Sequence, residues 1–175
     1  MFHFIYCWVL MELLPQDFNE KIAKIGVFLN ANNEHISTAE SCTGGLIASA
    51  FTQIAGSSNW FFGSIVAYDN SIKRDILGVD NKILQKYGAV SRQTIEQMLE
   101  GIYKLFKTEW SIAVSGIAGP GGDTFDKPIG TVYVGIAHNN NFLEISHNNF
   151  PGNRSEVRLR TVMKAIDMVL GGVQK

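Results

Sequence analysis

A chain of 175 residues that is 46% hydrophobic and 18% charged has enough apolar material for one domain with a sizeable core. Its 15 basic and 16 acidic side chains leave a net charge of −1, so no global field draws it to nucleic acid or to an anionic membrane. Two cysteines, Cys7 and Cys42, make neither a disulfide framework nor a zinc cluster, and His3, His35, His138 and His147 show no metal-ligand spacing, so no metal is expected.

The first ten residues, Met1-Phe-His-Phe-Ile-Tyr-Cys-Trp-Val-Leu10, are apolar and aromatic. They are too few to span a bilayer and lack the basic start and cleavage site of an export signal. They read as an upstream extension ahead of a start at Met11, or as a tail that touches a partner or a membrane. Residues 11–175 read as one domain, and the cytoplasm is the expected compartment.

Residues 16–33 place Ile22, Ile25, Phe28 and Leu29 at helical spacing, and Asn32-Asn33 ends that helix. A strand follows over 35–40. Thr38-Ala-Glu-Ser-Cys-Thr-Gly-Gly45 makes a tight strand-to-helix turn, and the helix runs to about Thr52. Ala55 to Asn59 is a loop by composition. Trp60 to Tyr68 reads as a strand with Gly63 inside it. Asp69-Asn70-Ser71 caps a short helix that carries Ile72, Lys73, Ile76 and Leu77 and stops at Gly78. Another covers about 80–87 and stops at Gly88.

Ser91 caps a long helix with Ile95, Met98, Leu99, Ile102, Leu105 and Phe106 on one face. Trp110 to Ser115 is a buried strand that runs into the glycine-rich turn 116–122. Gly130–His138 and Phe142–Asn149 form a hairpin around Asn139-Asn140-Asn141. Asn153 caps the last helix, Glu156 completes a capping box, and Gly171-Gly172 stops the helix. Helices alternating with strands, then a hairpin, predict an α/β fold: a three-layer α/β/α sandwich on a mixed, mostly parallel sheet. The loops 40–45 and 116–122 each follow a strand and meet at one sheet edge if those strands are parallel neighbours.

Several residues at that edge can carry chemistry. Ser41, Cys42 and Thr43 sit beside Glu40 at a helix start, whose N–H groups suit an oxyanion; ordinary helix capping accounts for the same residues. A serine nucleophile needs a base. His35 is the nearest histidine, but it lies at the far end of the strand. A lysine can replace histidine where burial lowers its pKa. Lys73 is placed to return to the same edge, with Tyr68 and Ser58 to relay a proton or orient the amine; the alternative is a solvated surface lysine. The turn after Ser115 lets backbone approach a ligand closely, yet it matches neither a P-loop nor a dinucleotide fingerprint. Arg154 opens the last helix, where a phosphate binds well; standing alone it reads as a surface residue beside Glu156. Arg158, Arg160 and Lys164 read as a solvated basic side, and Trp60, Phe61 and Phe62 as core or subunit contact.

Seven segments occur in order over residues 16–172: Thr38-Ala-Glu-Ser-Cys-Thr-Gly-Gly45, Ala55-Gly-Ser-Ser58, Val66-Ala-Tyr-Asp-Asn-Ser-Ile-Lys73, Gly88-Ala-Val-Ser91, Ala113-Val-Ser-Gly-Ile-Ala-Gly-Pro120, Lys127-Pro-Ile-Gly-Thr-Val132 and Phe150-Pro-Gly-Asn-Arg154. Together they resemble the CinA C-terminal domain family, whose stand-alone members include nicotinamide-nucleotide amidases. The resemblance implies hydrolysis of nicotinamide mononucleotide (NMN) to nicotinate mononucleotide and ammonia, in pyridine-nucleotide recycling and without a cofactor. It implies a small-molecule nucleotide as partner, neither nucleic acid nor membrane, and a homodimer or higher homo-oligomer.

Carried over residue by residue, the resemblance makes Ser41 the nucleophile and Lys73 its base, with Tyr68 and Ser58 in the proton network. Glu40, Thr43, Gly44 and Gly45 then adjoin the substrate, with the amides of the last three as the oxyanion site. Ser115, Gly116, Gly119 and Arg154 hold the ribose phosphate. A second assignment makes Ser58 the nucleophile and Ser41 a ligand. A reading of another class is a non-catalytic nucleotide-binding module tied to competence or DNA damage.

Overall fold

A computed structural model of the chain describes residues 17–174, and the apolar stretch 1–10 lies outside the described residues. In chain order the described elements are α1 (Phe18–Asn32), β1 (Ile36–Glu40), α2 (Leu46–Thr52), a 3₁₀ turn (Ser57–Asn59), β2 (Phe61–Val66), α3 (Asn70–Asp75), α4 (Asn81–Tyr87), α5 (Arg92–Phe106), β3 (Trp110–Gly116), β4 (Thr131–His138), β5 (Asn141–Asn149) and α6 (Arg154–Val173).

The strands lie in the order β2-β1-β3-β4-β5. β1 pairs in parallel with β2 and with β3, so that Glu40 stands opposite both Val66 and Val114. β4 is antiparallel to its neighbours β3 and β5, so every strand but β4 points the same way. β1 is buried along its whole length and β3 up to its last residue, as central strands covered on both faces must be.

The side chains alternate between two cores. On one face Ile36, Ile112, Val114, Val132, Val134 and Ile136 pack under Ile22, Ile25 and Leu29 of α1, Ile47 and Phe51 of α2, and Val162, Ile166 and Val169 of α6. On the other, Ala39, Ala113 and Ala137 lie under Ile95, Met98, Leu99 and Ile102 of α5. Small residues on that face let α5 sit close. A Cβ on Gly101 would stand 2.0 Å from the Leu77 carbonyl oxygen, so only glycine fits where α5 crosses the chain leaving α3. The result is the expected three-layer sandwich.

The predicted caps are present. Ser91 accepts from the Thr94 N–H, and Asn153 and Glu156 form the capping box of α6. Two boundaries differ. Gly171-Gly172 does not stop α6, which continues to Val173. The reason is packing: a Cβ on Gly172 would stand 3.0 Å from the Trp110 ring, so glycine is there for contact rather than termination. β2 is shorter than 60–68, because the Ala67 and Tyr68 carbonyls turn away to a side chain described below.

Candidate active site

Glu40 ends β1 and is fully buried. Its carboxylate accepts from Thr43 Oγ1 at 2.7 Å and from the N–H groups of Gly45 (3.0 Å), Ile47 (3.1 Å) and Ala48 (2.9 Å). A negative group thus caps the start of α2 and takes up its orphan donors. The sequence expectation set Glu40 and Gly45 beside a substrate; in the fold they bond to each other and hold the turn. Gly44 is also engaged, since its N–H donates to the Ser41 carbonyl at 3.1 Å. Gly44 and Gly45 have φ of +60° and +92°, which glycine adopts without strain. Arg158 Nη2 donates to the Thr43 carbonyl at 2.7 Å and clamps the turn from α6. The Cys42 and Thr43 amides are taken by neither Glu40 nor the Ser41 carbonyl.

Lys73 is 1% exposed. The chain leaves β2, Asp69 caps α3 by accepting from the Ser71 N–H, and Lys73 points back under the strand end one turn later. Its Nζ lies 2.7 Å from the Ala67 carbonyl oxygen, 3.1 Å from that of Tyr68 and 3.1 Å from Ser41 Oγ. The two carbonyls only accept, so each holds one N–H of the amine. The remaining tetrahedral position points at Ser41. A charged Lys73 donates there; a neutral Lys73 presents its lone pair and accepts the serine proton. Burial lowers the Lys73 pKa from its ordinary 10.5, opposed by the charge of Asp69 and by Cys42.

Tyr68 meets Lys73 through its backbone carbonyl. Its phenol oxygen instead accepts from Arg154 Nη2 at 3.1 Å, while Arg154 Nη1 donates to the Gly119 carbonyl at 2.8 Å. Arg154 therefore ties the end of β2 to the glycine-rich turn. Ser58 is not brought to this cluster within the chain. It is exposed in the 3₁₀ turn ahead of β2, whose start pairs with Ile36, whereas Ser41 follows the far end of β1. The full length of a parallel strand separates the two serines.

Ser41, Tyr68, Lys73, Ser115, Gly116 and Arg154 share the wall of a cavity of about 170 Å³. Asn70, Ala89, Val90 and Ala118 also line it; they stand within the segments quoted above but were given no role there. Their signal was weak: Asn70 reads as a helix cap, and Ala89-Val90 reach the site because Ser115 Oγ donates to the Ala89 carbonyl at 2.8 Å. Cys42 also lines the cavity, and burial pushes its thiol up to about 12, so it stays protonated near neutral pH. Among the described residues, no group of three or more His, Cys, Asp or Glu stands together to hold a metal, and no helix is long and apolar enough to cross a membrane.

Residues 19–172 match the family profile of the CinA C-terminal domain. A CinA-like protein of Leptospira borgpetersenii is 52% identical over 123 residues, which are 70% of this chain and 29% of that protein. One from Prochlorococcus marinus is 46% identical over 154 residues, 86% of this chain and 36% of its own length. The chain thus spans about a third of the length of the curated relatives it matches. The crystal structure of competence/damage inducible protein CihA from Agrobacterium tumefaciens superposes with a TM-score of 0.87 at 42% identity, covering 93% of this chain and 99% of that one.

Proposed function

We propose that this chain, which belongs to the CinA C-terminal domain family, is an amidohydrolase that deamidates NMN through a Ser/Lys site. The observation that carries the reading is the buried Lys73 amine, held by two neutral carbonyls and set 3.1 Å from Ser41 Oγ at a cavity wall. Burial lowers the pKa of a lysine so placed, which favours its use as a base.

In this reading neutral Lys73 takes the Ser41 hydroxyl proton as Oγ attacks the carboxamide carbon. In the same reading the Thr43 amide donates to the developing oxyanion; losing one such donor typically lowers the rate about 10²–10³-fold. The Lys73 ammonium then gives its proton to the departing nitrogen, and ammonia leaves an ester on Ser41. Water attacks that ester, Lys73 takes the water proton and returns it to Ser41 Oγ, and the carboxylate product departs. Arg154 uses two of its donors on Tyr68 and Gly119. A guanidinium has five donors, so three remain for a substrate phosphate at the cavity mouth.

The test is ammonia release from NMN, with an acid quench and mass spectrometry of the protein. Wild type is expected to release ammonia and to carry a transient acyl group on Ser41, and Ser41→Ala to do neither. Saturable NMN binding by wild type without ammonia release would replace this reading with a non-catalytic nucleotide-binding module.

A further inference from the structure

A second cavity, of about 470 Å³, opens at the end of the sheet away from Ser41. Its wall is apolar: Phe28 of α1, Trp110, Ile136 and Leu143 of the sheet, and Met168 and Val173 of α6. Trp110, Ile136 and Met168 are buried, whereas Leu143 stands 49% exposed. The polar groups around it already answer one another. Lys164 pairs with Glu144, Lys21 with Asp167 and His138 with Glu34. A ligand rich in polar groups finds those partners taken, while an uncharged apolar one meets a matching surface.

The chain itself carries such an occupant. Residues 1–16 precede the described chain, and Glu12 is their one charged side chain. Phe2, Phe4, Tyr6, Trp8 and Leu10 stand at every second position. An extended run over 2–10 therefore sets a large apolar side chain at each step along one face.

The point of attachment is beside the wall. Lys21 Nζ lies 3.4 Å from Asp17, where the described chain begins, and 3.0 Å from Asp167, which lines the cavity. From Asp167 to Val173 the wall follows α6 for about 9 Å, at about 1.5 Å per residue. Residues 11–16, fully extended, reach about 20 Å, so 2–10 can lie anywhere along it.

We propose that residues 2–10 lie extended in this cavity, with the face that carries Phe4 and Trp8 against Phe28, Leu143 and Met168. The tether favours this occupant over a free one. A segment joined to α1 by so short a link stands at an effective concentration of about millimolar. A membrane is a poorer match, because residues 1–16 contain no lysine or arginine to hold them at an anionic surface. The inference is independent of the amidase reading. Ser41 and Lys73 lie at the other end of the sheet, so displacing the segment is expected to leave ammonia release unchanged.

The experiment compares full-length wild type, Trp8→Ser, Leu143→Ser and the double variant by hydrogen exchange with mass spectrometry, thermal unfolding and light scattering. Trp8→Ser is expected to speed exchange in the last turn of α6 and the start of β5 about tenfold and to lower the melting temperature. Leu143→Ser is expected to do the same. The double variant is expected to lose less than the sum of the two, because both remove one contact. Wild-type exchange and melting in Trp8→Ser overturn the proposal, as do losses that add in full. Protection that appears only as the mass doubles puts the segment of a second copy in the cavity and overturns it too. So does binding of wild type, through Trp8, to phosphatidylcholine and phosphatidylglycerol vesicles while the last turn of α6 exchanges as fast as in Trp8→Ser.

Discussion

The two ends of the sheet each carry a cavity, and the larger one lacks the chemistry. At the end where β2, β1 and β3 finish, about 170 Å³ of space adjoins Lys73, 1% exposed and bonded only to neutral oxygens. Near the start of β3, about 470 Å³ lies between Phe28, Trp110, Ile136, Leu143 and Met168. There the ionisable groups have partners of opposite type near solvent. Lys21 meets Asp167 at 3.0 Å, Lys164 meets Glu144 at 3.7 Å, and His138 Nε2 lies 3.2 Å from Glu34, which also accepts from the Trp110 indole at 2.7 Å. Volume alone therefore does not pick out the end that holds the buried amine. What sets the smaller cavity apart is a titratable group taken out of water and bonded to no carboxylate, because burial of that kind disfavours the charged form.

The strongest way to break this contrast is to remove the amine. Lys73→Ala is expected to lower ammonia release by about 10²–10⁴-fold, the usual contribution of a positioned acid-base group. Near-normal turnover by a folded variant would move the chemistry elsewhere.

Glu40 comes next and separates scaffold from site. Glu40→Ala strips α2 of its buried cap and leaves several amides without an acceptor, at an expected cost of about 3 kcal/mol. In a chain of this size that corresponds to a melting temperature lower by about 6–12 °C. If KM rises while the melting temperature stays put, Glu40 is a substrate contact after all.

A third outcome concerns pH. Because burial lowers the Lys73 pKa below 10.5, the unfolded chain holds a proton that the folded chain has lost between the folded value and 10.5. Stability therefore rises with pH across that window, and the burial penalty is felt in full below it. Lys73→Met removes the group, so its melting temperature should follow a flatter curve over the same alkaline range. Equally steep curves for the two proteins would put the Lys73 amine in water.

The smallest expected effect sharpens the contrast from the other side. A Cβ on Gly171, in the wall of the larger cavity, would meet nothing within 4 Å. Gly171→Ala is expected to raise stability by about 0.5–1 kcal/mol, as glycine replacement within a helix does, and to leave ammonia release unchanged. A loss of activity here would give the larger cavity a part in function.

Much of this was open to reading from the residues themselves. The order of helices and strands, the Ser91 and Asn153 caps and the meeting of the 40–45 and 116–122 turns follow from local signals. Apolar spacing, capping side chains and glycine all act within a few residues, so a single sequence displays them. The pairing of Ser41 with Lys73 was reachable because both lie just past the ends of neighbouring parallel strands. Tertiary structure decided the rest. It turned the Tyr68 carbonyl, not its phenol, to Lys73, spent Glu40 and the Gly45 amide on one another, carried α6 through Gly171-Gly172 onto Trp110, and left Ser58 at the opposite end of the sheet. Each depends on which atom of a residue faces which neighbour across the fold, and that is set by strand register and core packing, which no local stretch of sequence contains.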